Sequence, residues 1–334
     1  MDKPLRVAVI GLGVWGEKHV QALKTIPEVE LVAVCDCDQA RLKSLSSGYS
    51  IPNVYTDFHD LLRAERLDAV HVVTPEPAHG APVVEAASMG IHVLVEKPVA
   101  TSLQDADAMI AAAEENQTIL MVGHILRWDA RYAMVKDYIE RGSMGRISSI
   151  LARRSVSRSQ APVFLSRSTP VMQLGIHDID LILWYTQAKV KQVYARSSRL
   201  LDFKYPDSMV CLIDFEDGSR AVVQNSFALP DAMPFFVGAR MEILGQKSFT
   251  VVDASEQSLF ISDERGYQMP DTTLVPLVRN ELVGSLRQEI EYFVRCVVAG
   301  TQPTVIRPSE SRKALEVALA CERSLDEDRP VTLG

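Results

Sequence analysis

The 334-residue sequence is long enough for about two domains, and with 47% hydrophobic and 23% charged residues it has the composition to build sizeable cores. A formal net charge of −8 excludes a general nucleic-acid binder, and no apolar run is long enough to cross a bilayer as a helix. The apolar start at Val7–Ile10 lacks a signal-peptide pattern, and the five cysteines are scattered, so the chain reads as a cytoplasmic protein with reduced thiols.

In chain order, Leu5 to Ile10 is a short strand that runs straight into Gly11-Leu12-Gly13-Val14-Trp15-Gly16. A helix is predicted from Glu17 to Thr25, then a strand from Val29 to Cys35 that ends at Asp36, 20 residues after Gly16. Strand, G-x-G-x-x-G, helix, strand and acid within one βαβ length point to a dinucleotide site. Gly11 permits the tight turn, Gly13 lets a pyrophosphate approach the backbone, and Gly16 lets the helix pack closely. Leu12, Val14 and Trp15 belong to the same phosphate loop. The Asp36 carboxylate suits the ribose hydroxyls and repels a 2′-phosphate by about 4 kcal/mol per charge pair at 4 Å before screening. Arg41 is the cation within reach of it, and the expected cofactor is NAD over NADP.

The alternation continues with strands at Asn53 to Tyr55, Ala69 to Val73, His92 to Val95 and Ile119 to Val122, separated by helices. This is a doubly wound parallel sheet of the Rossmann kind, an α/β domain expected to cover residues 1–123. Two strand ends carry chemistry. The fourth stops at Thr74-Pro75-Glu76-Pro77-Ala78-His79, and Val93-Leu94-Val95 stops at Glu96-Lys97-Pro98. Ligands of such sheets bind beyond the carboxyl ends of the strands. Thr74, Pro75, His79, Glu96 and Lys97 are therefore expected cofactor contacts, and Lys97 stands at the crevice mouth. Taken alone, Glu96-Lys97 would be an ordinary surface pair.

Residues 124–334 read as an α+β domain with a mostly antiparallel sheet. Strands are expected at Ile147 to Arg154, Val190 to Ser198, Met209 to Phe215, Ser219 to Phe227, Arg240 to Leu244, Ser248 to Asp253 and Leu259 to Ser262, with late helices from Leu286 to Ala299 and Ser309 to Asp326. Thr169-Pro170 starts a helix that runs to about Tyr185. On it Gln173, His177, Asp180 and Trp184 share one stripe. Gly175 costs this helix about 1 kcal/mol against Ala, which implies that something packs against its backbone. His177 can equally be a core histidine bonded to Asp178 or Asp180. From Arg141 to His177 the sequence holds six arginines and no Asp, Glu or Lys. The stretch suits a solvated basic face or the reception of an anionic substrate. No histidine or acid spacing indicates a metal.

Together the glycine loop, Glu96-Lys97-Pro98 and Gly175-Ile176-His177-Asp178-Ile179-Asp180 resemble the Gfo/Idh/MocA family of nicotinamide-dependent oxidoreductases over nearly the whole chain. The resemblance implies a cis peptide before Pro98 and a Lys97 aimed at substrate. It also implies a homodimer or homotetramer through an exposed sheet face. Val122-Gly123-His124-Ile125-Leu126-Arg127-Trp128 and Leu151-Ala152-Arg153-Arg154 are similar to members acting on nucleotide sugars, such as UDP-N-acetylglucosamine 3-dehydrogenases. Inositol dehydrogenase-like members carry an aspartate where this chain has Gln173, a neutral amide that can position a hydroxyl or His177 but cannot stabilise a protonated partner by charge.

The expected function is hydride transfer between a sugar or polyol secondary alcohol and NAD. His177, with an ordinary pKa near 6.5, is the general acid/base, and Lys97 holds the reacting oxygen. Arg127, Arg154, Gln173 and Asp180 are expected substrate contacts. The rival readings are a redox-neutral NAD-dependent glycosidase and a non-catalytic NAD-binding sensor.

Overall fold

Alternating strand and helix signals in the first third of the chain fold into β1 (Leu5–Ile10), α1 (Val14–Leu23), β2 (Val29–Cys35), α2 (Gln39–Tyr49), β3 (Asn53–Tyr55), α3 (Phe58–Ala64), β4 (Ala69–Val72), α4 (Gly80–Ser88), β5 (His92–Glu96), α5 (Leu103–Glu115) and β6 (Leu120–Gly123). The computed structural model describes residues 3–255, 259–264 and 266–334. The six strands pair in parallel in the order β3-β2-β1-β4-β5-β6. β4, β5 and β6 are buried along most of their length, which is why they read as continuous apolar runs. Strand order reverses between β1 and β4, so the crevice beyond their carboxyl ends is the switch point where such sheets bind ligands. Helix α1 starts at Val14, not Glu17, because the Gly13 carbonyl already accepts from the Glu17 amide at 3.0 Å.

Next come α6 (Ala130–Glu140), β7 (Ile147–Ser157), α7 (Ala161–Phe164), α8 (Ile176–Thr186), β8 (Val190–Ser198), β9 (Ser208–Phe215), β10 (Arg220–Leu229), β11 (Val237–Gly245) and β12 (Phe249–Asp253). Their sheet runs β12-β11-β7-β10-β9-β8 and closes with the short strand Val331–Thr332. Only the β7–β10 pair in it is parallel. Ile150, Ala152, Val156, Ala221, Val223, Phe227, Met209, Cys211 and Ile213 form its buried face, as period-two alternation requires. The expected strand from Leu259 is shorter and later: Ile261–Asp263 pairs with Gly266–Gln268.

The chain divides into two compact units, 1–128 with 273–312 and 129–272 with 313–334. The expected division at 123/124 therefore differs in one large segment. Residues 273–312, which include α9 (Ser285–Ala299) and the start of α10 (Pro308–Glu327), return to the first unit. There the Phe293 ring packs edge-on to His71 at 5.6 Å, and Tyr292 packs against Trp128 at 4.7 Å. The Arg312 guanidinium pairs with Asp107.

Candidate active site

The glycine loop has the geometry that its spacing implies. Gly11 sits at φ +92°, and a Cβ there would lie 2.6 Å from the Val73 carbonyl. A Cβ at Gly16 would lie 2.0 Å from the Gly11 oxygen, so the first turn of α1 packs directly on the loop. A Cβ at Gly13 would meet nothing within 4 Å, which leaves open space over the backbone at the start of α1. Val14, beside it, is 83% exposed. The Asp36 carboxylate accepts from Leu12 N at 2.6 Å and Asp38 N at 2.8 Å, and Arg41 Nη1 reaches it at 3.4 Å. A carboxylate has about four acceptor positions, so with three filled Asp36 keeps one for a ribose hydroxyl. Open backbone, a helix N-terminus and a buried acid together fit an adenine dinucleotide without a 2′-phosphate.

At the end of β4, Thr74 Oγ1 donates to the Ala78 carbonyl at 3.1 Å and Pro75 is exposed. His79 is buried, with Nδ1 3.0 Å from the Pro98 carbonyl and Nε2 2.9 Å from the Thr74 carbonyl. It is a brace between the two strand ends more than a surface for a ligand. The Lys97–Pro98 peptide is cis, as the resemblance implied. Lys97 is half-buried, and its backbone N–H points to Glu96 Oε2 at 3.3 Å.

Glu96 is the centre of a network that sequence reasoning missed. Its Oε1 accepts from Trp15 Nε1 at 2.9 Å and lies 3.1 Å from His19 Nε2. His19 Nδ1 is 3.0 Å from His71 Nδ1. Burial works against the Glu96 charge, but His19, Lys97 and Trp15 outweigh it and hold the carboxyl below its ordinary range. Burial drives His71 well below 6.5. The signal was available: Gly16, His19, Val20 and Leu23 fall on one helical face, so His19 had to be buried and bonded.

In the second unit, Thr169 Oγ1 accepts from Met172 N at 3.4 Å, the expected cap, and donates to Glu322 at 2.6 Å. The helix it starts is not uniform. Val171–Gly175 is a π turn, and only from Ile176 is the helix regular. Gln173 and Asp180 are buried, while His177 and Trp184 are half-buried. A Cβ at Gly175 would lie 2.4 Å from Asn225 Oδ1, so the expected close packing on its backbone is the Asn225 amide.

Two arginines expected to meet substrate have internal partners. Arg154 donates through Nη2 and Nε to Asp178 at 2.8 and 3.2 Å, and Asn225 Nδ2 adds a contact to the same carboxylate at 3.5 Å. Burial opposes the Arg154 charge, but Asp178 raises its pKa above the ordinary value. Asp178 is thus committed to Arg154. In the first unit, Arg127 donates to the Val305 carbonyl at 2.7 Å and lies 3.5 Å from Glu310, clasping the returning segment. Nor is the arginine-rich run one surface. Arg153 and Arg154 are consecutive on β7 and point to opposite faces, Arg141 pairs with Asp137 at 3.8 Å, and Arg167 donates to the Val163 carbonyl at 2.9 Å.

Comparison with known proteins agrees with both units. Residues 5–124 match the model of an oxidoreductase family with an NAD-binding Rossmann fold, and residues 132–249 match the GFO/IDH/MocA C-terminal domain. Myo-inositol 2-dehydrogenase of Thermotoga maritima is 28% identical over 98% of this chain and 98% of its own length. D-apiose dehydrogenase of Paraburkholderia graminis is 28% identical over 99% of this chain and 90% of its own. The crystal structure of myo-inositol 2-dehydrogenase from Lactobacillus plantarum covers 99% of this chain and 100% of its own at 24% identity and TM-score 0.86, a likeness of fold.

Proposed function

This chain belongs to the Gfo/Idh/MocA family of NAD-dependent oxidoreductases, and from that premise we propose that it oxidises a secondary alcohol of a small polyol or sugar to the ketone. The observation that carries the reading is Glu96-Lys97-cis-Pro98 at the end of β5, in the same sheet as the open glycine loop and Asp36. The named relatives, inositol and apiose dehydrogenases, favour an uncharged ring or chain of hydroxyls. The nucleotide sugar that the resemblance implied loses the support of its arginines, since Arg127 and Arg154 are engaged internally.

When bound, NAD supplies the acceptor for the hydride leaving the carbinol carbon. Gly13, Val14 and Trp15 would hold its pyrophosphate and Asp36 its adenosine ribose. His177 takes the hydroxyl proton, and Lys97 hydrogen-bonds the reacting oxygen as its carbonyl forms. Gln173 and Asp180 orient the remaining hydroxyls.

The test incubates the protein with NAD and a panel of inositols, apiose and UDP-sugars, and follows absorbance of reduced cofactor and product masses. Net reduction with an inositol or free sugar is expected. Lys97→Ala and His177→Ala should each lower kcat by 100-fold or more while leaving the Kd for NAD within about threefold. Turnover confined to UDP-sugars, or released sugar without net reduction, would refute the proposal.

A further inference from the structure

On that reading of the chain, we propose that His19, backed by His71, is a positioning residue for Lys97: it fixes the Glu96 carboxylate beside the lysine, and Trp15 ties the same carboxylate to the glycine loop.

Donor counting gives the direction of every proton. Trp15 Nε1 can only donate, so Glu96 accepts from it at 2.9 Å. An ionised carboxylate only accepts, so His19 Nε2 at 3.1 Å also donates. One proton lies between His19 Nδ1 and His71 Nδ1, which are 3.0 Å apart. His71 Nε2 is buried with no hydrogen-bond partner among the described residues. A buried N–H left without an acceptor is the costlier vacancy, so the His71 hydrogen belongs on Nδ1. His71 therefore donates to His19, and neutral His19 donates to Glu96. The tautomer of a fully buried ring is set from behind, and it presents its single N–H to the carboxylate.

The opposite wall is equally close. A Cβ at Gly123 on β6 would lie 2.7 Å from Glu96 Oε1, so no larger residue fits there while the carboxylate keeps this place. Other ionisable groups on the surrounding elements are His79, which feels the Glu96 charge, and Glu289, buried on α9 one turn before the Phe293 that packs on His71. The Lys97 charge in turn helps to keep Glu96 ionised. A carboxylate clamped on three sides gives the ammonium a counter-charge of fixed position. Without His19, Glu96 loses a donor, is easier to protonate and turns more freely.

The experiment reads Lys97 itself. The protein is reductively methylated with 13C-formaldehyde, the Lys97 signal is assigned by its absence in Lys97→Arg, and it is titrated in wild type, His19→Leu and His19→Gln. In His19→Leu the Lys97 midpoint should fall by about one unit, the low end of the effect of a neighbouring opposite charge. His19→Gln, whose amide can still donate to Glu96, should restore at least half of that shift. With NAD and a polyol, kcat of His19→Leu should fall tenfold or more, with KM for NAD within threefold and the pH–rate profile displaced. Should His19→Leu not fold, Trp15→Phe removes the other donor to Oε1 from a half-buried position and carries the same titration shift. Identical Lys97 titrations in all folded variants would overturn the proposal. Wild type that binds NAD but oxidises no polyol would sink the functional reading alone, since the titration still decides this one.

Discussion

Replacing Arg154 by methionine separates a structural arginine from a substrate-binding one. The guanidinium holds Asp178 by two bonds, 2.8 and 3.2 Å, with both side chains almost wholly buried. Methionine keeps much of the volume but strands the carboxylate, to which the Asn225 amide still donates at 3.5 Å. Breaking one half of such a pair costs about 3–5 kcal/mol, because the other charge stays buried without its partner. With a urea slope of roughly 3 kcal/mol/M, a loss of about 4 kcal/mol lowers the midpoint by about 1.3 M. The double substitution Arg154→Met/Asp178→Leu removes both charges and should recover most of that loss, since apolar replacement of a buried pair is often neutral. Urea melts followed by circular dichroism measure the midpoints, and hydrogen exchange in β7 and β10 locates the loss. An Arg154→Met protein with an unchanged midpoint and a raised KM for substrate would refute the argument and restore the substrate role.

Gly11→Ala and Gly13→Ala should fail differently. The first is strained at φ +92° and meets the Val73 carbonyl, so it should lower Tm. The second meets nothing, so it should keep Tm and weaken NAD binding tenfold or more, as calorimetry would read. Asp36→Ala removes the charge that opposes a 2′-phosphate and releases Arg41, so the ratio of NADP to NAD affinity should rise at least tenfold, and an unchanged ratio would remove Asp36 from the ribose site. His71 titrates below 6.5 in the folded chain and near 6.5 unfolded, so between these values the unfolded state binds more protons. Stability should fall as pH drops below 6.5, by up to about 1.4 kcal/mol per unit for this one group. His71→Leu should flatten that slope in melts between pH 6.5 and 5.

The glycine loop was legible because its geometry leaves no alternative: only glycine tolerates the Gly11 dihedral and the approach of Gly16 to the Gly11 carbonyl. Asp36 lies against the glycine loop through Leu12 N, and the Lys97–Pro98 peptide is cis as the family resemblance implied. The return of residues 273–312 to the first unit was not legible. The apolar stripe of α9 shows that it must be covered, while nothing local says by which partner. The π turn at Val171–Gly175 hid for a related reason, since one widened turn barely disturbs the apolar pattern around it. The arginine run misled because composition ignores direction: side chains one position apart on a strand face opposite ways. That alternation places Arg154 on the buried face, where a cation requires an acid, and Asp178 was in the motif already singled out.

A comparable count of donors bears on His79. Both of its ring nitrogens face carbonyl oxygens, at 3.0 and 2.9 Å, and a carbonyl cannot donate. Satisfying both bonds at once therefore requires the imidazolium. Burial opposes that charge and lowers the pKa, while the two carbonyls and Glu96 pull the other way. The neutral ring donates to one carbonyl and sets a lone pair against the other. Protonation thus decides whether the ends of β4 and β5 are tied by one bond or two. Since Pro98 follows Lys97 directly, the segment that bears the lysine is held by His79 on one side and, through Glu96, by His19 on the other. Two histidines, each in the turns that follow a strand of the sheet, thereby hold the residues on either side of Lys97.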